Sequence, residues 1–463
     1  MASRRDQLHS YQFMVQRVVS ALVFRKTDPD QSPFRRAGGA VFASVMVAVL
    51  ALAVVGVIGF ITGGPADPEA AKQYIIVEKE TGARYVLIDG VLHPVLNTAS
   101  GALIVGKAET LSRSGNSLAQ YPRGATVGIP NAPDSIPPAD RLLKDGWALC
   151  SRPGDGGPTS VLYAGSQPAQ GVPLAAGQAL TAVFHKGQAD EKWWLITDGH
   201  RYGLAKELVD AVGGSISDPA MSFTAEAAWI NSIPEGAPVS VPPVENAGQP
   251  SQAISGAKIG AMFADATGKR YVVLADGWSE ITPLQALLLQ AKNPGATMGQ
   301  VASGPAIGAR SATSLFPTGT EGAPVLSLPP TFVPVGATGT ACAIYTDHKG
   351  VPGILADATI PATSGIKTTE TNANGGDLVN EVVIEPGHAV LVESMTGAEG
   401  SGTVLFVNEM GVAYGFTDRA FIASFGYTEK DIVKLPATVT GRLPTGPALD
   451  PVKAKENAIM KAK

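Results

Sequence analysis

The sequence predicts an α+β, β-rich fold: a short cytosolic helix, a single transmembrane helix, and an exterior part. In that exterior part a central β domain carries four small β-β-β-α repeat modules. Three observations predict this. Residues 37–62 (AGGAVFASVMVAVLALAVVGVIGFIT) hold no charged side chain, and no second stretch of the chain resembles them. A motif of apolar runs around an Asp-Gly turn recurs beyond that stretch. The only two cysteines, Cys150 and Cys342, also lie beyond it, each in a short alternating apolar segment that reads as a half-buried strand.

The first element is the segment 1–36. Leu8, Tyr11, Val15, Val18, Val19 and Leu22 fall at helical spacing, with Arg4, Arg5, Arg17 and Arg25 around them. Such a helix either lies on anionic membrane lipid or docks onto a cytosolic partner subunit. The charge-free stretch 37–62 exceeds the ~20 residues that cross a bilayer's hydrocarbon core. A cleavable signal peptide would have a shorter apolar core, ~7–15 residues, nearer the N-terminus. Arg17, Arg25, Lys26, Arg35 and Arg36 precede the span, whereas Asp67, Glu69 and a lone Lys72 follow it. Basic residues are retained on the cytoplasmic side. The N-terminus is therefore expected inside, and the C-terminal bulk outside. A linker, 63–72, joins the two.

The exterior repeats itself. Thr81-Gly82-Ala83-Arg84-Tyr85-Val86-Leu87-Ile88-Asp89-Gly90 returns as Thr267-Gly268-Lys269-Arg270-Tyr271-Val272-Val273-Leu274-Ala275-Asp276-Gly277. A weaker copy is Trp193-Trp194-Leu195-Ile196-Thr197-Asp198-Gly199, and a fourth, Val404-Leu405-Phe406-Val407-Asn408-Glu409-Met410-Gly411, has lost the Asp-Gly. Asp-Gly between apolar runs predicts a type I′ hairpin, because that turn needs positive φ. Helical signals follow the third strand: residues 97–105, Leu204 to Val209, Thr282-Pro283 as an N-cap with proline behind it, and Thr417 as an N-cap before Asp418-Arg419-Ala420. The expected repeats are 73–114, 179–240, 250–300 and 389–435. The central domain is expected from 115–178 and 315–388, and a C-terminal tail over 436–463.

An even cysteine count outside the cytosol favours a Cys150–Cys342 disulfide over two buried free thiols. Closing a loop this long would stabilise by ~5 kcal/mol in the chain-entropy model.

Composition narrows the function. Charged residues make up 16% and the net charge is −5, with no basic patch in the exterior, so nucleic acid is not an expected partner. There is no G-x-S-x-G elbow and no H-E-x-x-H pair. His9, His93, His185, His200, His348 and His388 are dispersed at no ligand spacing, so no metal or cofactor is expected. Gly101-Ala102-Leu103-Ile104-Val105-Gly106-Lys107-Ala108 fits P-loop spacing, with Gly101, Gly106 and Lys107 in the phosphate-binding positions. Its last position is alanine where magnesium needs a hydroxyl, and its middle reads as apolar packing. Trp193, Trp194, Trp229 and Trp278 serve either as sugar-stacking platforms or as core anchors.

Several landmarks in fixed order carry a family resemblance. They are Arg5-Asp6-Gln7-Leu8, Arg17-Val18-Val19-Ser20-Ala21-Leu22, the apolar span, and the repeat motifs. Tyr121-Pro122-Arg123-Gly124, Gly128-Ile129-Pro130-Asn131-Ala132-Pro133, both cysteines, and Leu443-Pro444-Thr445-Gly446-Pro447-Ala448-Leu449 complete them. Over essentially its full length the chain resembles EccB, the single-pass core component of the actinobacterial type VII (ESX) secretion machinery. The resemblance implies a structural subunit of a membrane complex with EccC, EccD and EccE, exporting WXG100 and PE/PPE-type substrates. It also implies an elongated exterior of four repeats around a disulfide-bearing central domain, in the periplasm beyond the inner cell membrane, with self-association of that exterior and docking rather than lipid binding for the N-terminal helix. Members are often labelled ATPases, so ATP hydrolysis stands as one alternative and peptidoglycan binding by the repeats as another. The residues lean towards a protein that is not an enzyme.

Overall fold

The computed structural model describes residues 3–25, 33–63, 72–302, 308–319, 323–336, 338–362, 365–372, 374–397 and 402–458. Most of the expected 63–72 linker and the last residues of the expected tail lie outside the described residues. The chain divides into two units, Met1–Ala71 and Lys72–Lys463.

Among the described residues, the first unit holds two helices. α1 (Arg4–Phe24) starts where the Ser3 N–H donates to Asp6 Oδ2 at 3.1 Å, which places a carboxylate in the first turn where the helix dipole favours it. It ends at Arg25, in the left-handed region at φ 51°. α2 (Pro33–Gly63) opens on proline, whose fixed φ suits a first helical position. Its stretch Gly38–Val57 is long and apolar enough to cross a membrane.

Among the described residues, the second unit contains four similar sheets built on four strands each and one of seven strands; the module 2 sheet gains a fifth, two-residue strand, Thr331–Phe332, parallel to its first. Module 1 has strands Ile75–Glu78, Arg84–Ile88, Val91–Pro94 and Thr110–Arg113; module 2 has Gln178–Phe184, Lys192–Thr197, His200–Leu204 and Ser222–Thr224. Module 3 has Met262–Ala264, Arg270–Leu274, Gly277–Ile281 and Met298–Gln300; module 4 has Val390–Met395, Thr403–Val407, Ala413–Gly415 and Val433–Pro436. In each, three strands form an antiparallel meander, and a fourth returns parallel to the first on its free side. The unit is thus β-β-β-α-β. The periodicity reading missed the last strand, which is only three or four residues long in each module. A parallel return needs a crossover, and the helical element supplies it.

The crossovers vary. Module 1 uses α3 (Thr98–Val105), capped by Asn97, whose side chain accepts from Ser100 N. Module 3 uses a helix at Pro283–Lys292, capped by Thr282 as expected. In module 2, Leu204 ends the third strand, and only Lys206–Leu208 forms a 3₁₀ turn. In module 4 the 3₁₀ helix Arg419–Phe425 is capped by Asp418, not Thr417; the Thr417 hydroxyl donates instead to Leu449 O at 3.2 Å. Of the three Asp-Gly turns, two have left-handed φ at both residues: Asp89-Gly90 (49°, 80°) and Asp198-Gly199 (47°, 67°). The third does not. Leu274 pairs directly with Gly277, and the Asp276 carboxylate takes the Ser311 hydroxyl at 2.6 Å and Ala312 N at 2.9 Å.

A further element recurs in every module. After the fourth strand the chain comes back as a strap along the third: Leu92 bridges Arg123, Arg201 bridges Glu235, Trp278 bridges Arg310, and Ala413 bridges Thr445. The next strap residue donates its N–H to the same third-strand carbonyl in all four; it is Gly124, Gly236, Ser311 and Gly446. Where it is glycine, an aromatic ring from the third strand lies directly over it: His93, Tyr202 and Tyr414 respectively. A Cβ there would fall inside the ring's contact distance. Where the strap carries Ser311, the third strand carries Ser279 in place of the ring, and its Oγ accepts from Leu315 N at 2.9 Å. These straps extend the modules beyond the expected boundaries. Residues 445–449 belong to module 4, and the short helix Pro451–Ala454 packs on α3, so much of 436–463 is structured rather than a free tail.

The central sheet runs, in spatial order, Ile366–Lys367, Glu381–Val383, Thr159–Tyr163, Trp147–Arg152, Ala341–Tyr345, Gly353–Thr359, Gln170–Pro173. Trp147, Leu149 and Ala343 on one face share a core with Phe223 of module 2's fourth strand, with Trp229 of the helix that follows it, and with Val392, Val407 and Leu435 of module 4. Modules 1 and 4 share another core, built on Ile75, Leu103, Phe406 and Phe425. Leu284 and Leu288 of module 3 insert into the core of module 2. Modules this small bury too little surface alone, and the shared cores make up the deficit.

The glycine–ring contact generates a prediction. Gly446→Ala should destabilise the folded chain by about 1–3 kcal/mol, because the Tyr414 ring must move. In a Tyr414→Ser background the same change should be nearly neutral. Urea unfolding of the four proteins of this cycle measures the coupling; equal penalties in both backgrounds would contradict the contact.

Candidate functional site

The P-loop-like segment does not build a phosphate cradle. A phosphate loop runs from strand to loop to helix, so that the anion meets free N–H groups at a helix N-terminus. Here the order is reversed: α3 comes first, and Gly106 ends it in the left-handed region at φ 86°, donating its N–H to Ala102 O at 2.7 Å. A phosphate at this end would meet the negative pole of the helix. Gly101 lies buried mid-helix, and a Cβ there would sit 3.0 and 3.1 Å from Ile75 Cγ1 and Cδ1. Close helix–sheet packing explains that glycine. Lys107 pairs with Glu109 Oε2 at 3.1 Å, and its Nζ lies 3.7 Å from the centroid of the Tyr74 ring. Ala108 packs against the core shared by modules 1 and 4.

The cysteines meet as direct cross-strand neighbours. Cys342 pairs with Cys150 in the antiparallel ladder between Ala341–Tyr345 and Trp147–Arg152, and the two form a disulfide across a sequence separation of 192. Both are fully buried, among Ala148, Val161, Tyr163 and Ala358 on the face away from the larger core. The bridge closes a loop that contains modules 2 and 3.

The third candidate is α1. Leu8, Tyr11, Val15, Val18 and Leu22 are exposed, and Val19 is half-buried. Phe13, Met14 and Val23 are exposed as well, which the stripe reading omitted. Met14 and Val23 flank the stripe, and Phe13 lies under the Arg17 guanidinium at 5.9 Å.

The tryptophans divide unevenly. Trp193, Trp229 and Trp278 are buried, so three of the four are core anchors. Trp194 alone is partly exposed, with the Arg201 guanidinium stacked on it at 4.6 Å. No group of three or more metal-ligating side chains occurs among the described residues.

Sequence reasoning passed over two recurrent signals. One is the strap pattern Pro-x-Gly, present as Pro122-Arg123-Gly124, Pro234-Glu235-Gly236 and Pro444-Thr445-Gly446. The other is the acid before each Thr-Gly-x-Arg-Tyr motif. Glu78 Oε2 takes the Thr81 hydroxyl at 2.5 Å and the Tyr85 hydroxyl at 3.4 Å; Asp265 takes the hydroxyls of Thr267 and Tyr271 at 2.6 and 3.2 Å.

A helix long and apolar enough to cross a membrane, followed along the chain by a disulfide-bridged body of four repeated modules, defines a repeat protein with one candidate membrane span. The family model for the type VII secretion system ESX-1 transport transmembrane domain B, EccB, matches residues 1–459. The chain belongs to the EccB family. ESX-3 secretion system ATPase EccB3 of Mycolicibacterium smegmatis is 27% identical, over 96% of this chain and 89% of its own. ESX-1 secretion system ATPase EccB1 of the same species is 27% identical, over 98% and 94%. Among solved structures, a chain of an intact ESX-5 inner membrane complex superposes with a TM-score of 0.63 at 24% identity, covering 99% of this chain and 95% of that one. A chain of the EccB3 dimer from the ESX-3 core complex gives 0.61 at 24% identity, covering 83% and 100%. These likenesses establish the shared fold.

The disulfide is testable by mass spectrometry. A non-reduced digest should contain the Cys150 and Cys342 peptides linked, and Cys342→Ala should lower stability by up to ~5 kcal/mol. Two alkylatable thiols in the native protein would contradict the pairing.

Proposed function

We propose that this chain is a structural subunit of a type VII secretion membrane core complex: α2 anchors it, α1 docks on a cytosolic partner subunit, and the modular body is an exterior scaffold that associates with further copies and core subunits. Family membership carries the reading, and the exposed apolar side chains of α1 give it a mechanism. Charge asymmetry around the span supports an N-terminus in the cytoplasm and the modules in the periplasm. The substrates served would be those of the resembling machines, WXG100 and PE/PPE-type proteins.

The word ATPase belongs to the names of the relatives. In this chain the segment with P-loop spacing is a helix C-cap with an acid beside its lysine, which favours the scaffold over the hydrolase. Peptidoglycan binding by stacked tryptophans is left with Trp194, whose face is already covered by Arg201.

The docking role of α1 is tested by Val15→Asp with Val19→Asp. Burying carboxylates against an apolar partner groove costs several kcal/mol, whereas the anchor and the modules are untouched. The double mutant should stay in the membrane fraction and drop out of the large complex on a native gel of solubilised membranes. Normal incorporation would show that assembly rests on the span and the modules instead.

A further inference from the structure

Between module 2 and the central sheet lies a cleft of about 980 Å³ whose character none of the roles above uses. One wall is the edge strand Ser222–Thr224, the terminal strand of the module 2 sheet, with the residues that follow it to Ala227. The opposite wall is the Pro153–Thr159 turn of the central sheet together with residues between Glu370 and Asn380.

The backbone of that edge strand has a definite polarity. Ala225 N donates to Val183 O, which turns the odd-numbered residues towards Gln178–Phe184. Glu226 N faces the other way and donates to Ser151 Oγ at 3.0 Å. By the same alternation the N–H and C=O of Thr224 point to the cleft side, where Thr224 forms part of the lining. An unpaired strand edge along a groove is a template for one more strand.

The charges in the cleft are unbalanced. Glu226, Glu370 and Asp377 line it, with Lys186 and His185 as the basic groups. Asp377 is shared with Asn231 at 2.9 Å and lies 3.9 Å from Arg442, and Glu370 accepts from Asn380 at 3.0 Å. Glu226 caps the short helix Ala227–Ser232 through Ala228 N and Trp229 N, but no cation pairs with it among the described residues. Burial is the largest influence on its carboxyl and raises the pKa, and the nearby Asp377 charge acts in the same direction. A cation entering the cleft would relieve both effects.

We propose that this cleft binds an extended peptide segment carrying a lysine or arginine, which adds to the free edge of Ser222–Thr224 and places its basic side chain against Glu226 and Asp377. The exposed Glu370 at the rim steers the basic segment in.

The probe is a displayed library of random ten-residue peptides, panned on the full chain in lipid nanodiscs. Enriched peptides should carry Lys or Arg within an otherwise extended, β-favouring sequence, and should slow hydrogen exchange of Thr224. Binding should weaken by about tenfold or more in Glu226→Gln/Asp377→Asn, which keeps the capping and hydrogen-bond acceptors while removing the charges. The single variant Glu370→Lys, at an exposed position, should slow association even if the double variant is poorly folded. Enriched peptides without basic residues, protection confined to other segments, or affinities indifferent to all three carboxylates would overturn the proposal. So would failure of the library to enrich.

Discussion

The pairing of Trp147–Arg152 with Ala341–Tyr345 is the constraint on which the rest of the modular body depends. Two strands nearly two hundred residues apart become neighbours in the middle of the seven-stranded sheet, and Cys150–Cys342 locks them in register. Loop-closure entropy for such a separation must be offset before any local contact rewards it, and the bridge removes much of that cost from the unfolded chain. With this pair in place, modules 2 and 3 become a closed excursion from the central sheet. Modules 1 and 4, at the two chain ends of the body, meet in a common core. Arg442 reinforces the same region: it donates to Asn231 O at 2.9 Å and Asp377 O at 3.2 Å, joining the end of module 4 to the helix after module 2 and to the central domain.

The four modules show how one backbone plan tolerates different chemistry. The strap follows the third strand everywhere, but glycine is required only where a ring lies over it. In module 3 the ring and the glycine are replaced together, by Ser279 and Ser311, and the released space is taken up by the loop that ends at Leu315. The Asp-Gly turn varies in the same way. Asp276 has given up turn geometry for a hydrogen-bonding role towards residues 311 and 312. Paired substitutions of this kind keep local geometry while freeing the surface of each module to diverge.

Much of this was legible in the sequence because the signals are local. The charge-free run, the type I′ turns at Asp89-Gly90 and Asp198-Gly199, and the Thr282-Pro283 cap each depend on a few adjacent residues. The fourth strands were not legible: Ser222–Thr224 and Met298–Gln300 are too short for an alternating pattern to stand out, and tertiary pairing alone makes them strands. The Thr417 cap failed because the next residue, Asp418, is an equally good cap, and its neighbour was free to bond Leu449 instead. Gly101 and Lys107 mislead as text, since a regular expression carries no direction of the helix relative to the loop. The burial of Trp193, Trp229 and Trp278 was an open choice that only packing decided.

The glycines and lysine near α3 serve packing and a surface ion pair, as suits a scaffold subunit of a membrane complex. Equilibrium titration of magnesium-ATP into the purified full chain, alongside Lys107→Ala, tests this most directly. No saturable heat in either protein, and unchanged incorporation of the variant into the secretion complex, is the predicted result. Saturable binding by the native chain that Lys107→Ala abolishes without loss of folding would contradict it.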